Sequence, residues 1–136
     1  MGLQAAIEWV QDQALSLPGI RQGAAPDYME EKAAKFPFWA TWAGEGAWNS
    51  ESEGMTKGLL SIRVELHVER KHLPSAVKEA MKYVEAFPKL ILADATLGGT
   101  VSTSGEIQFS GLVPLGYAGV ETIGFRWTIR DVKIID

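Results

Sequence analysis

There is no cysteine among the 136 residues, there are only two histidines, and no apolar run approaches 18 residues. The first absence excludes a disulfide framework and any thiolate metal site, and the last excludes a membrane-spanning helix. His67 and His72 lie on either side of a strand end, where an extended chain turns their side chains to opposite faces, so no shared metal is expected. The opening MGLQAAIEWVQDQ lacks the basic front and continuous apolar stretch of a secretion signal, and Gly2 is not followed by the Ser or Thr that myristoylation requires. The expectation is a protein with no export route and no membrane partner.

Basic residues are also too few and too scattered for a nucleic-acid grip. The formal net charge is -4, and residues 1 to 56 carry eight Asp or Glu against three Lys or Arg. Binding DNA requires clustered cations that displace phosphate counterions, so sequence-specific nucleic-acid binding is not expected. Constellations for catalysis are missing as well. Gly98-Gly99-Thr100 has no Lys-Ser/Thr after it, Glu30-Glu31 has no partner base at fixed spacing, and no Ser sits in a nucleophile elbow. No catalytic residue, cofactor or metal site is expected.

What the chain has is one domain's worth of alternating and helical pattern. Leu3, Ala6, Ile7, Val10, Ala14 and Leu17 recur at helical spacing, with Glu8, Gln11 and Asp12 off that stripe, which predicts an amphipathic helix over residues 3 to 16. Residues 20 to 25 read as a short strand or connector, and Phe38 to Trp42 as a strand. The stretch GEGAWNSESEGMTKG, residues 44 to 58, has almost nothing to bury and predicts a mobile loop between two antiparallel strands.

In LLSIRVELHVE, Leu60, Ile62, Val64, Leu66 and Val68 alternate with Ser61, Arg63, Glu65, His67 and Glu69, the mark of a strand with one buried and one polar face. A second helix begins near Leu73-Pro74 and runs through Val84, with Pro88 as its expected limit. Val101 to Phe109 predicts a strand. After Gly116-Tyr117-Ala118-Gly119 a final strand alternates Ile123, Phe125, Trp127 and Ile129 with Arg126 and Arg130. The fold class is therefore α+β: an antiparallel β-sheet with two α-helices on one face.

Two readings are open for the polar strand residues Arg63, Glu65, His67, Glu69, Arg126 and Arg130. They face solvent, the default for an antiparallel sheet, or they line a lumen closed by several subunits. Five tryptophans are many for this length, and indoles are favoured where an apolar contact meets water; Trp39, Trp42 and Trp48 are candidates for subunit or partner contacts.

Taken together, the opening helix with Ile20 and Ala25-Pro26, the aromatic strand at Phe36-Pro37-Phe38, the strand Leu60 to Val68, the helix Ala76 to Val84, and above all Leu97-Gly98-Gly99-Thr100-Val101 before a Tyr-Ala-Gly turn at Tyr117 to Gly119 resemble the tail terminator, or tail-completion, proteins of long-tailed bacteriophages and prophages. The resemblance implies a structural virion protein without enzymatic activity: a homo-oligomer, typically a hexameric ring. Such a ring caps the head-proximal end of the tail tube, ends its polymerisation and joins the head connector, with DNA passing through the bore. Its partners would be the tail tube protein and the head connector or neck protein, and its place the virion tail, or the host cytoplasm during assembly. The nearest alternatives are a head-tail connector or stopper protein and a small-molecule-binding α+β oligomer with a pocket around Trp42, Trp127 and Phe125.

Overall fold

The computed structural model describes residues 2–17, 22–24, 37–52, 54–68, 70, 73–117 and 120–135. The order of elements is α1 (Leu3–Leu15), β1 (Gln22–Ala24), β2 (Phe38–Ala43), β3 (Ala47–Ser52), β4 (Met55–Val68), α2 (Leu73–Leu92), β5 (Ile107–Tyr117) and β6 (Val120–Ile135). Strand β4 is the spine. It pairs antiparallel with β6 along one side, and with β2 and then β3 along the other, in a sheet ordered β1-β2-β4-β6-β5. Only the three-residue β1 joins in parallel, against β2. The chain is thus an α+β fold in which antiparallel pairing dominates.

Both helices lie on one face. Leu60, Ile62, Val64, Leu66 and Val68 point into it as their alternation requires, and are at most 8% exposed. They meet Ala6, Ile7, Val10 and Ala14 of α1 and Ala80, Tyr83, Phe87 and Ile91 of α2. An aromatic cluster fills the centre: the Trp39 ring lies 5.0 Å from Phe87 and 5.3 Å from Trp127, with Tyr83 edge-on at 6.0 Å. Gln11, expected off the apolar stripe of α1, is instead buried with it and fastens the helix to the sheet. Its amide nitrogen donates to the Trp39 carbonyl at 3.1 Å, and its oxygen accepts the Thr41 hydroxyl.

Three expectations are corrected by packing. Helix α2 runs through Pro88 to Leu92. Proline inside a helix costs about 3 kcal/mol, but Phe87 and Ile91, on either side of it, are fully buried, and each contributes about 1.5–3 kcal/mol. The strand expected at Val101 to Phe109 begins later, at Ile107, because residues 102 to 106 run as a separate bridge along the end of β6: the Ser102 amide donates to the Lys133 carbonyl and the Gly105 amide to the Arg130 carbonyl. Within the loop expected at 44 to 58, residues 47–52 and 55–58 instead pair as antiparallel strands. The start of β4 extends past β2 and offers its backbone to β3, from Ala47↔Leu59 to Ser52↔Met55. The jog between β2 and β3 is pinned by the Gly44 amide on the Ser61 carbonyl (2.8 Å) and the Ser61 hydroxyl on the Glu45 carbonyl (2.7 Å). A Cβ on Gly46 would stand 2.6 Å from the Leu60 Cα, so the close pass requires glycine.

Two bulges adjust which side chains face inward. On β6, Arg130 and Asp131 together oppose Ser61, with Asp131 at φ 53°, so that Ile129 and Val132 both enter the core. On β5, Ser110 and Gly111 together oppose Arg126, with Gly111 at φ 77°, which puts Phe109 and Leu112 on the helix side of the sheet.

Candidate functional site

The face of the sheet opposite the helices is polar and divides into a sealed half and an open half. In the sealed half β4 supplies Glu65 and His67, β6 supplies Thr122 and Arg126, and β2 supplies Phe38. Register sets Glu65 across from Arg126 and His67 across from Phe38. Directly opposed residues on neighbouring strands share a face, so these side chains converge.

Glu65 is the hub. One carboxylate oxygen accepts the Arg126 Nε–H at 2.6 Å, with Nη2 also at 2.6 Å; the other lies 3.1 Å from His67 Nε2. With Glu65 ionised, that nitrogen carries the hydrogen and donates, and in the neutral imidazole Nδ1 then accepts from the Thr122 hydroxyl. The imidazole lies flat on Phe38, ring centres 4.6 Å apart and 1° from parallel. Hydroxyl, imidazole and carboxylate in line have the connectivity of a nucleophile, its base and an orienting acid. Thr122, His67 and Glu65 are 2%, 0% and 1% exposed, so no substrate reaches the hydroxyl from solvent. What the arrangement does is satisfy a buried carboxylate and fix the β4–β6 register.

In the open half the polar face forms a cleft of about 580 Å³ between the β2–β3 jog and β6. Arg63 and Thr128, directly opposed across β4 and β6, line it together with Arg130, Ser61, Asn49 and Gln108. Two carboxylates, Glu45 at the jog and Asp131 at the bulge, line it as well, so the cleft holds as many acidic as basic side chains. Among the described residues neither Arg63 nor Arg130 has a carboxylate within ion-pair distance, whereas Arg126 does.

The polar residues singled out from the sequence therefore part company. Glu65 and His67 are corrected from solvent- or lumen-facing to buried, where they contact Arg126, Thr122 and Phe38. Arg63 and Arg130 come together in the cleft, and Glu69 lies outside the described residues. Trp39 is corrected from a contact candidate to core: it is 0% exposed, on the helix side. Trp42, one phase later on β2, is half-buried on the polar side across from Arg63. Trp48 is 53% exposed and lies over Gly58, whose missing side chain leaves the space its ring occupies. The pocket suggested around Trp42, Trp127 and Phe125 does not form, since Trp127 and Phe125 are buried on the helix side and Trp42 faces the other way.

Thr122 stands in the polar phase of β6, as the alternation of that strand predicts; Gln108 escaped the reading of polar strand residues and enters through the register of β5 with β6. Among the described residues no group of three or more His, Cys, Asp or Glu side chains is placed to hold a metal ion, and no helix is long and apolar enough to cross a membrane. Compared with known proteins, the chain matches no family model and no curated protein.

Proposed function

We propose that this chain is a structural subunit that assembles into a hexameric ring, caps the head-proximal end of a phage tail tube, ends tube polymerisation and offers the joint to the head connector. The observation that carries the reading is the division of the sheet. One face is committed to two helices, while the other keeps an open half with two arginines that no carboxylate of the described residues engages. A ring is built from heterologous contacts, in which one surface of each copy meets a different surface of the next. The chain offers two unlike surfaces: the polar cleft, and exposed apolar side chains on edge strand β5, Phe109 at 46% and Leu112 at 43% exposure. The sealing of Thr122, His67 and Glu65 supports a structural role over a catalytic one, and the acidic balance of the chain suits a bore through which DNA passes without being trapped.

Light scattering on the purified chain tests it. The expected mass is about six times the 14.9 kDa subunit, with the assembled species binding the ends of purified tail tubes. A strictly monomeric chain, at high concentration and with tubes added, would refute the reading.

A further inference from the structure

Opposite charges share the open cleft without pairing. Arg63 and Arg130 line it together with Glu45 and Asp131, yet among the described residues no ion pair joins any two of the four. The fold holds them apart. Glu45 is carried by the β2–β3 jog at one wall, where its carbonyl accepts the Ser61 hydroxyl. Asp131 stands at the opposite wall, against Gly105 on the way into β5. Between them Arg63 rises from β4, opposed by Thr128, and the row continues to Gln108 on β5. The bulge that brings both Arg130 and Asp131 to the cleft keeps Asp131 at φ 53°, and bulges and strained backbone of this kind gather where side chains are aimed at a ligand.

This lining sets the chemistry of what fits. Two acids against two bases give the cleft no net charge to attract a single ion, and acids on both walls with a guanidinium between them lack the separated poles that a zwitterion needs. What the lining offers is hydrogen bonding of both senses: carboxylates only accept, guanidiniums only donate, and Ser61, Thr128, Asn49 and Gln108 do both. The backbone beneath is engaged in the β4–β6 and β3–β4 ladders, so an added peptide strand finds no edge there. A hydroxyl, by contrast, donates and accepts through one oxygen and matches neighbours of either kind. Leu59, 44% exposed, adds an apolar spot for C–H groups. The volume, about 580 Å³, falls within the range of about 300–1,000 Å³ typical of small-ligand sites. We infer that the cleft binds a neutral, polyhydroxylated ligand, a short uncharged saccharide, with Glu45, Asp131, Asn49 and Gln108 reaching its hydroxyls.

Binding of this kind is independent of the ring, which mass alone decides. The test titrates the chain with maltotriose, cellotriose and chitotriose, beside trigalacturonate as an anionic and the glucosamine trimer as a cationic comparator. Side-chain amide signals are followed by NMR, with light scattering recording the mass at each point. The expected result is that at least one neutral trisaccharide binds with a Kd on the order of 1 mM and shifts the Asn49 and Gln108 signals, while both charged trimers bind at least about tenfold more weakly. Asn49→Ala/Gln108→Ala should weaken the neutral sugar about tenfold with melting unchanged. Asp131→Asn, a residue type that tolerates the left-handed backbone, leaves the cleft net positive and should turn its preference toward trigalacturonate, which decides the matter should the double variant fail to fold. No binding of any neutral trisaccharide at about ten times that concentration would overturn the site. Tighter binding of a charged trimer to the wild type would overturn the charge match, and neutral binding unmoved in Asn49→Ala/Gln108→Ala would overturn the assignment to the cleft.

Discussion

The Glu65 carboxyl lies at 1% exposure, and Arg126 and His67 are its partners there. Removing one partner of a buried pair strands the other. Because the Arg126 side chain is 38% exposed, the loss should fall short of a fully buried pair: Arg126→Met is expected to destabilise by about 2 kcal/mol in urea unfolding. Adding Glu65→Gln, which removes the stranded charge but keeps an oxygen for His67, should return part of that; strictly additive losses would show that Glu65 is not stranded. A second carboxylate works at the surface. Asp94 accepts the Thr96 hydroxyl at 2.6 Å, the Thr96 amide at 3.0 Å and the Gly98 amide at 3.1 Å, and these bonds hold its pKa below the usual carboxylate value. A depressed folded-state pKa contributes stability that is present above the unfolded value and lost as pH falls through the folded one. The gap in melting temperature between wild type and Asp94→Asn should therefore be wider at neutral pH than near about pH 3; a gap independent of pH would count against this account.

At the scale of elements, glycines at two positions do opposite work. Gly111 sits at φ 77° with open space where a Cβ would go, so Gly111→Ala should cost only the backbone strain of about 1–2 kcal/mol. Gly124 lies where β6 passes so close to β4 that a Cβ would overlap the Leu66 carbonyl, and Gly124→Ala should cost at least about 4 kcal/mol or abolish cooperative unfolding. Equal melting temperatures for the two variants would contradict the close approach. The same contrast explains what the sequence discloses. Strands β4 and β6 are legible because helices cover one face and impose a period of two on both. Strand β3 is not, since Ala, Asn, Ser and Glu carry little β preference and its pairing comes from the overhang of β4. Trp39 and Trp42 lie three apart on one strand and so on opposite faces; alternation reveals that they differ, but not which one meets the helices. Pro88 marks a helix end by rule and is overruled by the burial of Phe87 and Ile91.

At the scale of the whole molecule, the candidate site was half visible. Arg63, Glu65, His67, Arg126 and Arg130 are all readable as one polar surface, yet whether each is wet depends on Phe38 and Thr122 closing one end, and on two irregular spots, the jog at Gly44–Gly46 and the bulge at Arg130–Asp131, opening the other. Neither irregularity leaves a trace in hydropathy, because both are set by register between distant strands. The open cleft and the exposed Phe109 and Leu112 on β5 are then surfaces that a single copy leaves unused, and the light-scattering experiment addresses both at once.

The ladder between β4 and β6 has a kinetic consequence. Strands β2 to β4 and strands β5 and β6 are hairpins whose partners are near in sequence, and such units zip within microseconds. Their union brings Val68 to Ile123 and Lys57 to Ile135, across the whole of α2 and the turn beyond it. Closing that long loop should limit refolding to the millisecond-to-second range of sheet proteins dominated by distant pairings. Stopped-flow fluorescence of the Trp39–Trp127 cluster, which forms only when the two hairpins meet, should report one slow phase; a microsecond signal would show that closing this loop does not limit folding.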